Sequence, residues 1–145
     1  MASSIVPTAI EFLLDALPRL ADLDDTQITE GWAANAAQRE SIVIGGASSD
    51  QEWGNLGAQR KNEDCSIDVY IMVSQPGGTA TEVRRRAYQL ADVIDEWIRS
   101  STTNITLGGL CAWSIWSPTR WEPAITDNGR AGILLCELTI SGAHI

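Results

Sequence analysis

Apolar positions recur along this chain with two different periods, and the switches between them lay out the fold. Ile10, Leu13, Leu14 and Leu17 fall at i, i+3, i+4 and i+7, the spacing that gathers one stripe on a helix. Ser4 ahead of Val6-Pro7, or Thr8 with Glu11, can cap the start of that helix, and Pro18 ends or bends it. Asp22, Asp24 and Asp25 then form an acidic turn. It lacks the sharp-turn Gly and the bidentate Glu of a calcium loop, so a solvated turn is expected. Two short strands follow, residues 27–32 and 41–44, separated by an alanine-rich stretch; Gly45-Gly46 ends the second. From Asp64 to Ser74 the pattern alternates strictly. Cys65, Ile67, Val69, Ile71 and Val73 face one side, and Asp64, Ser66, Asp68, Tyr70 and Met72 the other. Such a strand puts one face in the core and the other toward water or another subunit.

The period then returns to that of a helix, over residues 80–100. Thr79 and Glu82 make a capping box, and Val83, Ala87, Leu90, Ala91, Ile94 and Ile98 make the buried stripe. Glu82 with Arg86 and Asp95 with Arg99 are spaced as i, i+4 ion pairs. Two long strands, about 110–125 and 130–141, close the chain around Asn128-Gly129, a strong type I′ hairpin signal. That register sets Trp121 against Cys136 and Pro118 against Thr139, and a bulge would shift it by one. Leu134, Cys136, Leu138 and Ile140 form one face. Pro118 and Pro123 withhold backbone donors, so their strand should lie at a sheet edge or carry bulges.

The order is α-β-β-β-α-β-β. It predicts an α+β fold: a single, mostly antiparallel sheet with helices packed on one face and a C-terminal β-hairpin. At 145 residues the chain makes one domain, 1–145. Residues 47–62 stand apart as a long polar loop with Gly54, Gly57 and Trp53. Loops beyond about 12–15 residues are usually functional or disordered. This one is expected to contact a partner through Asp50, Glu52, Trp53, Arg60 and Lys61, ordering on assembly.

Charge and chemistry narrow the function. Nineteen Asp and Glu against ten Lys and Arg give −9, and such a surface repels phosphate. No stretch approaches the roughly 20 apolar residues of a membrane span. Met1-Ala2-Ser3-Ser4 lacks the basic residue and apolar run of a signal peptide, which points to a cytosolic product. Cys65, Cys111 and Cys136 have no C-x-x-C spacing and read as buried free thiols. His144, the single histidine, reads as a terminal bystander, so a zinc site or a serine triad has almost nothing to build with. Asp64 and Asp68 share a strand face, where acids are usually solvated. Arg84, Arg85 and Arg86 point in directions spread over some 200°, which suits a solvated or inter-subunit face better than a phosphate site. The expectation is no catalysis and no cofactor. Six tryptophans against one phenylalanine point elsewhere, since exposed aromatics are enriched at interfaces. Trp32 and Trp97 read as core. Arg85, Gln89, Trp113, Trp116 and Trp121 are the candidates for a subunit interface.

The layout also resembles a known family. It has an N-terminal helix, a strand ending in Gly31-Trp32, then Ser41-Ile42-Val43-Ile44-Gly45-Gly46, an acidic and aromatic loop, and a strand opening Glu63-Asp64-Cys65-Ser66-Ile67-Asp68-Val69. A long helix, a Leu107-Gly108-Gly109 turn and a closing hairpin complete it. This is similar to the tail terminator proteins of long-tailed, non-contractile bacteriophages, the lambda-type terminator fold. The resemblance implies a hexameric ring at the head-proximal end of a virion tail, assembled in the host cytoplasm. It would cap the tail tube, end its polymerisation and join it to the head connector. DNA would pass through without specific binding, and no membrane is involved. Alternatives are another neck ring (a stopper or head-completion protein) or a small cytosolic ligand-binding domain or enzyme.

Overall fold

The computed structural model describes residues 3–31, 39–55, 60–126 and 129–144. Helix α1, Val6–Ala16, is followed by two single 3₁₀ turns, Leu17–Arg19 and Ala21–Leu23. Strands β1, Gln27–Glu30, β2, Glu40–Asn55, and β3, Arg60–Pro76, lead into α2, Ala80–Arg99. A short helix, α3, Thr102–Ile105, precedes strands β4, Trp113–Thr126, and β5, Gly129–His144. The fold is α+β, with one five-stranded sheet in the order β1-β2-β3-β5-β4. β1 runs parallel to β2 and every other pairing is antiparallel.

Both expected helices form for the reasons their spacing gave. The Thr79 hydroxyl accepts the Glu82 N–H at the start of α2, and Val83, Ala87, Leu90, Ala91, Ile94 and Ile98 are its buried residues. In α1 the buried residues are Ala9 and Leu13, with Ile5 and Leu17 continuing the stripe; Ile10 and Leu14 lie at its margin. α1 and α2 cover one face of the sheet, where Ile42, Ile44, Ile67, Val69, Ile71, Leu134 and Leu138 complete the core. Arg86 does not pair with Glu82. Its guanidinium makes a forked ion pair with Glu40 on β2, at 2.6 and 3.0 Å, which ties α2 to the sheet. Asp95 and Arg99 pair at 2.8 Å as their spacing implied.

Three sequence expectations are corrected. Residues 47–55 and 60–62 are strand rather than loop: β2 runs on to Asn55 and pairs with β3 back to Arg60, and this end of the sheet forms an arm that β5 accompanies along β3 as far as Asn62. Gly45-Gly46 does not end the strand but forms a bulge, with Ile44 opposite Val69 and Ala47 opposite Ile67. A Cβ at Gly45 would come within 2.5 Å of the Tyr70 ring, so the ring closes over this glycine. The hairpin register also differs. Thr126 pairs with Gly129, setting Trp121 against Leu134, and a bulge between Pro118 and Arg120 sets Pro118 against Cys136. Closing the ladder at Thr126–Gly129 shifts the pairing by two as far as the bulge and by three beyond it, while Leu134, Cys136, Leu138 and Ile140 keep their common buried face. The turn signal at Asn128, the alanine-rich stretch and Trp32 lie outside the described residues.

Candidate functional site

The helices leave the second sheet face uncovered, and the register shows what it carries. Asp50 lies opposite Asp64, Ser48 opposite Ser66, and Asp68 opposite Glu137. Next along the strands come Val43, Tyr70 and Leu135, then Met72 and Ile133. The face is therefore acidic toward the arm and apolar toward the hairpin turn. Like charges directly opposite on a sheet are mutually destabilising. No cation neutralises these two pairs among the described residues; the contact made to Asp64 is a 3.1 Å bond from the Gly142 N–H. Along the free edge of the same face, on β4, Trp113 is 44% and Ile115 51% exposed.

The arm's other face turns toward the helix side. Its root is held by Glu63, a carboxylate with no solvent exposure. Glu63 accepts the Ile5 N–H at 2.7 Å, the hydroxyls of Ser4 and Ser49, and the Gln51 amide. It thus caps the start of α1 and fastens both arm strands to it. Ser4 does serve α1, accepting the Val6 N–H at 3.1 Å, while its own hydroxyl donates to Glu63. Burial alone would raise the Glu63 pKa; the hydrogen bonds outweigh it, and the carboxyl sits below its usual value. Sequence reading passed over Glu63. The available signal was its parity: it stands two residues before Cys65, in the register of the core.

Of the expected contact residues, Asp50, Glu52, Trp53, Arg60 and Lys61 all lie on the arm. Asp50 and Glu52 share the open face, whereas Trp53 and Lys61 lie opposite each other on the helix-side face. Trp53 is 60% exposed, and Lys61 donates to the Gln51 side-chain carbonyl at 2.9 Å. Arg85 and Gln89 are exposed on α2, and Trp113 is exposed on β4. Trp116 is 6% exposed and belongs to the core, so it is not available on this surface; its Nε1 has no acceptor among the described residues. Trp121 packs partly buried at the core margin. Trp97 also packs there, 6.0 Å from Phe12 between ring centres.

The three thiols are free and buried. Burial pushes Cys136 up to about 12 and, with the nearby Glu63 charge, Cys65 up to about 11; Cys111 is raised by burial as well. A thiol held protonated is a poor nucleophile. An aromatic disulfide reagent at pH 8 is therefore expected to modify native protein far more slowly than denatured protein. A fast native phase of one thiol per chain would contradict that burial. Among the described residues no three His, Cys, Asp or Glu side chains are grouped to hold a metal ion. No described helix is long and apolar enough to cross a membrane.

No protein-family model and no curated protein matches the chain. A solved structure does. The chain shares the fold of a protein in a virion. That neighbour is a chain of the virion of a native gene transfer agent particle, similar over 97% of this chain and 100% of its own length, with a TM-score of 0.53 at 12% identity.

Proposed function

We propose that the protein is a structural subunit of a virion, acting as a tail terminator. Copies assemble into a ring, most simply a hexamer, that caps the tail tube, ends its polymerisation and offers its other side to the head connector. The observation that carries this reading is the fold shared end to end with a virion chain. The surfaces support it: an uncovered sheet face, a projecting arm and an exposed aromatic edge are the parts of an assembly protein. In the ring, the acidic part of the open face lines the channel. Duplex DNA carries about one negative charge per 1.7 Å, and a basic wall would bind it through counterion release. An acidic wall lets it slide. Arg85, Gln89 and Trp113 contribute to subunit contacts, and the arm engages another virion subunit.

The test is tube growth. Adding the protein to polymerising tail-tube subunits is expected to stop elongation and leave tubes of fixed length bearing a ring at one end. Tubes that elongate unchecked, with the protein bound instead to isolated head connectors, would favour the stopper reading over the terminator.

A further inference from the structure

Arg84, Arg85 and Arg86 follow one another on α2 but meet different surroundings. Arg86 turns to β2, where Glu40 holds it at 2.6 and 3.0 Å, with the charges of Asp22 and Asp25 nearby. At about 100° per residue, Arg84 and Tyr88 each point about 160° away from Arg86 around the helix axis. Arg85 lies between, on the outer surface. The sheet order sets β2 on one side of β3 and β4 on the other, so Arg84 and Tyr88 occupy the β4 flank of the subunit. Arg84 and Arg85 are exposed and have no ion-pair partner among the described residues, whereas Arg19, Arg86, Arg99 and Arg120 are matched to carboxylates. Tyr88 beside them is 38% exposed.

The opposite flank carries the complementary charge. There the acidic turn before β1 and the start of β2 enclose a polar cavity of about 490 Å³, lined by Asp24, Asp25, Arg39, Glu40 and Arg86. Glu40 is already matched by Arg86. Asp22, Asp24 and Asp25, all exposed, are then offset by Arg39 alone, which leaves this flank two charges negative. None of the three carboxylates accepts a hydrogen bond or makes an ion pair among the described residues. Because α2 stands between the two flanks, one chain cannot bring them together. A second copy can.

We infer that Arg84 and Arg85 of one subunit enter the Asp24–Asp25 cavity of the next, with Tyr88 packed at its rim. The inference rests on the ring reading and names the two flanks that meet. The contact joins two different patches, so it is heterologous, and such contacts generate rings when the rotation closes. It also leaves the open sheet face free to line the channel. Opposite charges set against each other in this way fix the register of a contact and reject wrong partners.

The test uses two charge-reversed variants of the full chain. Arg84→Glu with Arg85→Glu makes both flanks acidic, and Asp24→Lys with Asp25→Lys makes both basic. All four positions are exposed, so each variant is expected to melt within about 4 °C of the parent. Sedimentation should show the wild type forming rings and each variant alone associating about a hundred-fold more weakly, because like charges then meet. Mixed in equal amounts, each variant supplies the flank the other needs. Alternating rings should form, and these close only with an even number of copies. A chain with Arg84→Cys and Asp24→Cys, treated with a bismaleimide linker, should join into a ladder within rings, since the native thiols are buried. Wild-type rings with both variants assembling equally well, folded variants whose mixture fails to assemble, or no cross-link within rings would overturn this contact while leaving the ring intact. A wild type that stays monomeric at high concentration and on tail tubes would overturn the ring reading, and the contact with it.

Discussion

Replacing Asp50 and Asp68 by arginine is expected to turn a protein indifferent to duplex DNA into one that binds it tightly. Both side chains are exposed on the open sheet face, and each stands opposite another carboxylate, Asp64 or Glu137. An arginine there meets an opposing acid across the strands, so the fold loses nothing and gains a few tenths of a kcal/mol per pair. Each subunit moves from −9 toward neutrality by four charges, all on one face. Around a ring this places a dozen cations along the channel wall. With 6–10 phosphates contacted, affinity should fall about a thousand-fold or more between 50 and 200 mM salt. Fluorescence anisotropy with a labelled duplex reads both the binding and its salt slope. Continued indifference in the double variant would move the open face away from the channel. Steeply salt-dependent binding by the wild type would point instead to Arg84 and Arg85, which α2 exposes.

The second large effect is at Glu63. Glu63→Ala removes four hydrogen bonds to a buried carboxylate and leaves the Ile5 N–H without its acceptor. The expected cost is about 3 kcal/mol, seen as a lower urea midpoint, with α1 and the arm root loosened together. The sign of the pH dependence follows from the lowered pKa. The unfolded carboxyl titrates near its ordinary value of 4.5, and the folded one below it. The stabilisation is therefore complete above about pH 5 and is lost as pH falls through the folded value. The difference in midpoint between wild type and Glu63→Ala should be constant from pH 8 to 5 and shrink toward pH 3. A difference that grows in acid would mean that the buried carboxyl holds its proton at neutrality.

Much of this architecture was legible because burial imposes periods on the sequence. The alternation from Cys65 to Val73 and the stripe from Val83 to Ile98 are each bound to one face by geometry, and each is buried as read. The arm was not legible for the same reason. On β2 beyond the bulge, residues 46–50 and 52–54 are exposed whichever face they lie on, so no apolar alternation marks the strand and residues 47–55 read as polar loop. Gly45 and Gly46 misled in the same direction, since a bulge and a strand end use the same residue type. Trp116 and Trp121 lie on one face only because a bulge falls between them, and that bulge is set by packing rather than by local pattern. Glu63 was hidden by its chemistry: an acid in a core register is recognised only once four donors are seen converging on it. The open face was legible residue by residue, in Asp64 and Asp68, but the pairing with Asp50 and Glu137 required the register.

The ring at the tube end is the central claim, and electron microscopy of the purified protein with tail tubes tests it most directly. The predicted image is a closed ring, most simply of six copies, seated on one end of each tube. Its central channel should be wide enough for duplex DNA and walled by the face bearing Asp50, Asp64, Asp68 and Glu137. Tubes with bare ends, and a protein that stays monomeric beside them at high concentration, would contradict it.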